Sequence, residues 1–257
     1  MPAVFLGHGN PMNAIEHNAF HASWVRLGKQ LPRPKAVLCI SAHWEAPGVR
    51  VTAARQPETI HDFYGFPDEL FAVEYPAPGD PELARRVGAL LQGHEVVLDD
   101  KRGLDHGAWG VLRPMYPAAD VPIVQLSLDT RQPLQVHYDL ARKLAPLRDE
   151  GVLILGSGNI VHNLQTFRYH DPAAPEWAIA FNEAVKRKFA AGDAAALIDY
   201  PGLSEHAKLA VPTVEHYLPL IYVLGVRHES DAFEFLNDVV HSSISMTSIC
   251  IGEKRAA

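Results

Sequence analysis

Val4-Phe5-Leu6-Gly7-His8-Gly9-Asn10-Pro11-Met12 is the stretch that decides the fold. Its apolar run is too short for a helix and is bounded by breakers, which predicts a buried strand. Glycines on both sides of His8 let the backbone turn sharply at the strand's end. An imidazole is thereby presented at the C-terminal edge of a strand, where open α/β sheets bind their ligands. The pattern returns at Ala36-Val37-Leu38-Cys39-Ile40, a continuous apolar run that predicts a strand covered on both faces. It leads into Ser41-Ala42-His43-Trp44, with a second histidine at the strand's end.

Working outward, strands and helices alternate. Helices are predicted over about 18–30, over 81–91 with Asp80 as cap and Pro81 in the first turn, and over 133–147 and 176–189. One more is predicted from Pro212 to about Leu224, carrying Glu215 and His216 at its start. Further strands are expected at 49–53, 95–98, 122–128, 151–155 and 245–251. The strand at 151–155 should end in a Gly156-Ser157-Gly158-Asn159 turn. Residues 59–80 form a long segment rich in Pro, Gly and aromatics, a length of loop that usually carries function or acts as a lid. Strand–helix alternation predicts α/β: one domain over residues 1–257, with a mixed, largely parallel central sheet and helices on both faces.

Composition narrows the function. The chain has 257 residues, 47% of them hydrophobic, enough for one sizeable core. Its net charge is −7 and it has no Lys/Arg run, which argues against nucleic-acid or anionic-membrane partners. No apolar stretch reaches membrane-spanning length, and no signal-like segment opens the sequence. Cys39 and Cys250 sit in apolar runs, as buried thiols of a reducing cytoplasm would. A monomer or small homo-oligomer is expected.

The 14 histidines carry the chemistry. If the strands before His8 and His43 were neighbours, their ends would lie about 5 Å apart, within reach of one metal. The third ligand is left open between Glu215 and His216, because adjacent helical residues point about 100° apart. His162 follows the Gly-Ser-Gly turn, and His106 stands in another glycine-bracketed stretch, Leu104-Asp105-His106-Gly107. Tyr64 and Phe66 are the aromatics expected to touch a ring-shaped substrate. Ser157 is not in a nucleophile elbow, and Cys39 is placed too deep in an apolar run to be one. A zinc-dependent hydrolase or a non-catalytic metal-binding protein could use the same histidines.

Several motifs occur together and in order: Leu6-Gly7-His8-Gly9-Asn10-Pro11-Met12, Ser41-Ala42-His43-Trp44, His61-Asp62-Phe63-Tyr64-Gly65-Phe66-Pro67, Leu104-Asp105-His106-Gly107-Ala108-Trp109, Gly156-Ser157-Gly158-Asn159 with His162-Asn163-Leu164, and Glu215-His216-Tyr217-Leu218-Pro219-Leu220. With these motifs the chain resembles the class III extradiol ring-cleavage dioxygenases, closest to their 4,5-DOPA dioxygenase branch. The resemblance implies a metal-dependent enzyme that opens the ring of a catechol with O2. It implies Fe(II) as catalytic metal, with Zn(II) able to occupy the same site. His8, His43 and His216 resemble the metal ligands. His162 resembles the acid/base histidine and a fourth ligand when zinc is bound, with a pH limb expected near 6.5. His106 resembles a histidine lining the oxygen and substrate pocket. One feature departs from many class III relatives, which use a glutamate as third ligand. A substrate carboxylate would need a cation, for which Arg113 and Arg168 are candidates.

Overall fold

Apolar side chains divide between two faces along β1 (Ala3–Gly7). Ala3 and Phe5 enter one core, and Val4 and Leu6 enter the other. Successive strand residues point to opposite faces, so burial of all of them requires cover on both sides. β2 (Ala36–Glu45) divides in the same way, with Leu38 and Ile40 on one face and Val37 and Cys39 on the other. Each such fully buried Leu, Ile or Phe contributes about 1.5–3 kcal/mol.

A computed structural model describes residues 1–252. The remaining sheet strands are β3 (Val49–Thr52), β4 (Val96–Asp99), β5 (Ile123–Leu128), β6 (Val152–Gly158), β7 (Ala232–Leu236) and, after a small hairpin of β8 (Val240–His241) and β9 (Ile244–Ser245), β10 (Ser248–Gly252). The eight-stranded sheet has the order β4-β3-β5-β2-β6-β1-β10-β7. Its centre, β5-β2-β6-β1, is parallel, whereas β3 and β10 pair antiparallel to it. Helices Pro81–Leu90, Leu134–Leu144, Glu176–Ala190 and Leu218–Gly225 cover one face, and Ala19–Gln30 and His106–Met115 cover the other. This is the mixed, largely parallel α/β sheet that the alternation predicts. Asp80 caps its helix as expected, accepting two backbone N–H bonds, and Asn18 does the same for helix Ala19–Gln30. Cys39 and Cys250 are both buried.

Five local features differ from expectation. β1 and β2 are not neighbours, because β6 lies between them. Gly156-Ser157-Gly158 is not a turn but the end of β6, paired with Phe5, Leu6 and Gly7. Its glycines serve close approach: a Cβ on Gly158 would lie 2.2 Å from His216 O. His106 opens a helix, His106–Met115, that its glycines and Pro114 conceal in the sequence. Glu215 and His216 stand in a turn ahead of helix Leu218–Gly225, whose start is marked by Pro219 in its first turn. The edge strand β7, not anticipated, pairs with β10.

Candidate metal centre

His8 extends the sheet by one residue, its backbone N–H donating to Gly158 O at 3.1 Å. Its Nδ1 lies 3.0 Å from Ser157 Oγ, and that hydroxyl donates onward to Gly107 O at 2.5 Å. A hydroxyl has one proton to give, so Ser157 accepts from His8 Nδ1–H. His8 Nε2 is therefore the nitrogen with the free lone pair.

β2 keeps its register with β5 through Ile40 and shifts before Glu45. His43 sits in this irregular stretch, beyond the last β6 pairing at Ser41. Across the end of β6, its Nε2 comes to 3.2 Å from His8 Nε2. Gly107 leaves the space for this ring: a Cβ there would lie 2.9 Å from His43 Cδ2.

His216 approaches from the turn. Its Nδ1 is 2.9 Å from Glu215 Oε1, which also accepts from Thr213 Oγ1 at 2.8 Å. A carboxylate only accepts, so Nδ1 carries the proton and Nε2 is bare. That Nε2 is buried with no hydrogen-bond partner. One nitrogen each of His8, His43 and His216 lies within 4.8 Å of the others. Burial, and then the neighbouring histidines, hold His8 and His216 well below the ordinary histidine pKa. Burial, followed by His106, lowers His43 to about 3. Neutral imidazoles turning bare nitrogens on one dry point are a donor set suited to a divalent metal. The residues present fit such an ion.

A second layer adjoins the first. His106 and His43 rings are 3.9 Å apart at their centroids. Asp62, from the long aromatic segment, accepts the His106 backbone N–H at 2.9 Å, and the same oxygen lies 3.0 Å from His106 Nδ1. Burial alone would raise the Asp62 pKa, but His106 beside it brings it down to about 2. His162 stacks on His216 with centroids 3.5 Å apart and planes 8° apart. It groups with Glu215 and His216. Burial lowers its pKa to about 4, below the expected value near 6.5. Beneath these rings, the fully buried Asp105 accepts from Ser41 Oγ and Gln125 Nε2, both at 2.7 Å. It also caps the helix that begins with His106.

The structure thus brings His8, His43, His106, His162 and His216 together. Phe66 packs edge-on to Phe63, which in turn meets the His106 ring edge-on at 5.5 Å. Tyr64 does not join them: it is 91% exposed and stands out into solvent. Arg113 donates to Ala14 O, and Arg168 pairs with Asp171 at the surface. Asp62, Ser157 and Asp105 are polar partners that sequence reasoning did not assign. The only signal for them was adjacency to the histidine motifs.

The chain matches the family model of the catalytic LigB subunit of aromatic ring-opening dioxygenases over residues 2–250. It belongs to this family. The LigB match favours ring opening over the hydrolase and non-catalytic readings. A protein of Escherichia coli K12 named 4,5-DOPA dioxygenase extradiol is 48% identical, over 98% of this chain and 95% of its own length. A Beta vulgaris protein of the same name is 42% identical, over 91% and 90% respectively. A crystal structure of an uncharacterised E. coli K12 protein superposes with a TM-score of 0.86 at 44% identity, covering 98% of this chain and 100% of that one. As a LigB-family enzyme, the chain is a metal-dependent dioxygenase, and its histidine group is where a metal can be held.

Proposed function

We propose that this enzyme holds Fe(II) through His8, His43 and His216 and opens the ring of a catechol, DOPA or a close analogue, beside its diol. The observation that carries the reading is the convergence of three ring nitrogens, two of them left bare because the Nδ1 protons of His8 and His216 face Ser157 and Glu215. The names of the E. coli and Beta vulgaris relatives support the substrate class. Bound there, Fe(II) supplies charge that lowers the pKa of a chelating diol and a redox route between ring and dioxygen.

The protein's own residues do the rest. Ser157 and Glu215 fix the ring orientations of His8 and His216. His162, kept neutral by burial, takes a diol proton and later returns it. His106 is held by Asp62 against His43, and with Phe63 and Phe66 it walls the side on which the substrate ring sits.

Anaerobic reconstitution with Fe(II), followed by air and a catechol panel that includes DOPA, tests this reading. A yellow ring-opened product with matching O2 uptake is expected. His8→Ala and His43→Ala should abolish stoichiometric metal binding while the fold survives. Full metal occupancy in both variants, by elemental analysis, would remove them as ligands.

A further inference from the structure

The three converging histidines are not equivalent on their outer sides. His8 Nδ1 meets a neutral hydroxyl, whose own proton goes on to Gly107 O. His43 Nδ1 has Asp62 at 3.8 Å, beyond hydrogen-bond range. His216 alone of the three has a carboxylate in hydrogen-bond contact, Glu215 Oε1 at 2.9 Å. That carboxylate is steadied by Thr213 Oγ1 on the same oxygen, and its side chain is only 16% exposed. Solvent therefore screens it weakly.

We propose that Glu215 is the charge-setting residue of the metal centre: it acts from outside the ligand set by holding the Nδ1 proton of His216. The inference rests on the ligand assignment proposed above. Three imidazoles alone are a neutral set, whereas two histidines and a carboxylate carry one negative charge. Here the carboxylate stands one hydrogen bond away from the bare Nε2. A strong acceptor on Nδ1–H pushes electron density onto the imidazole and makes Nε2 a better donor. The turn geometry makes this the available arrangement. His216 and Glu215 are adjacent, the bare nitrogen of His216 faces inward, and the carboxylate is turned back onto its own neighbour's ring. Glu215 is accordingly a positioning and tuning residue. It shifts the balance toward the oxidised metal, and it strengthens metal binding without touching the metal.

Glu215→Gln tests this directly, because it keeps the acceptor oxygen and the side-chain length and removes the charge. The Fe(II)-loaded protein is measured two ways: Fe(II) affinity by anaerobic chelator competition, and the Fe(III)/Fe(II) potential by redox titration. Glu215→Gln is expected to retain stoichiometric iron at saturation, to bind it about 10–100-fold more weakly, and to show a more positive potential. Thr213→Val leaves the charge in place and removes the competing donor from Oε1, so its potential should move the other way. An unchanged potential in Glu215→Gln, or an unchanged or positive shift in Thr213→Val, overturns the proposal. Loss of all iron in Glu215→Gln, with iron retained in His216→Ala, would make Glu215 the ligand and overturn it too. Neither readout needs turnover. A wild-type protein that holds iron but opens no catechol would therefore defeat the proposed substrate and leave the role of Glu215 to be decided by the potentials.

Discussion

At the scale of single residues, the site depends on where a few protons sit. Ser157 spends its one proton on Gly107 O, so toward His8 Nδ1 it can only accept, and this leaves His8 Nε2 bare. His162 stacks on His216 and groups with Glu215, so its proton-carrying role is tested against that of a ligand. An acid/base group is worth about 10²–10⁴-fold in rate, whereas a ligand costs metal when removed. His162→Gln is expected to keep its Fe(II) and still bind catechol anaerobically, but to turn over at least about a hundredfold more slowly. Metal loss in this variant would make His162 a ligand, and unchanged turnover would leave the reaction without its proton carrier.

At the scale of elements, the site is assembled where the end of one strand meets the start of one helix. Asp105 joins them. It caps helix His106–Met115 through Ala108 N–H and accepts from Ser41 Oγ, which in turn accepts the backbone N–H of His43. It also satisfies Gln125 Nε2 from β5. A helix cap by itself is worth about 0.5–2 kcal/mol. Asp105→Ala additionally leaves a buried amide and a buried hydroxyl unpaired, at about 1–3 kcal/mol each. Its loss of stability in denaturant unfolding should therefore exceed about 2 kcal/mol, the upper end of what a cap alone is worth. Metal affinity should fall with it, because His43 is no longer held. Asp105→Asn keeps an acceptor for the cap and should lose less on both measures. Equal losses in the two variants would mean that the charge, not the hydrogen-bond pattern, is what the joint requires.

Taken whole, the metal-free protein holds four buried or half-buried histidines in neutral form at one end of its sheet: His8, His43, His162 and His216. Each has its pKa lowered first by burial, to about 3 for His43 and about 4 for His162. In the unfolded chain the same groups bind protons near pH 6.5. Between those values the unfolded state holds more protons, so stability falls as pH falls. Above about 6.5 the histidine contribution is constant. The Tm of the metal-free protein should drop steadily from about pH 6.5 to about 4, and a bound divalent metal should oppose the drop at its upper end. Asp62, lowered to about 2, begins to lose its contribution only as pH falls below the unfolded carboxylate value near 3.9, so Asp62 takes no part in the loss between about pH 6.5 and 4. A Tm that stays flat down to pH 4.5 would mean that these imidazoles are not held neutral.

The sequence by itself determined the α/β class, the helix cap at Asp80, and the presentation of His8 and His43 at strand ends. These follow from local patterns: apolar runs that demand cover on both faces, cap residues one step before a helix, and glycines that let the chain turn. The family motifs were legible for the same reason, since each lies within a few consecutive residues. The rest was decided by contacts between distant segments. Nothing local could place β6 between β1 and β2, keep Gly156-Ser157-Gly158 in a strand, or carry His43 past the end of β6 to within 3.2 Å of His8. The Glu215–His216 pair was visible in the sequence, but which of the two faces inward depends on a turn packed so closely on Gly158 that a Cβ there would not fit. A proton's position on an imidazole is set by whatever partner the fold brings to its far side, and for His8 and His106 those partners, Ser157 and Asp62, come from other segments.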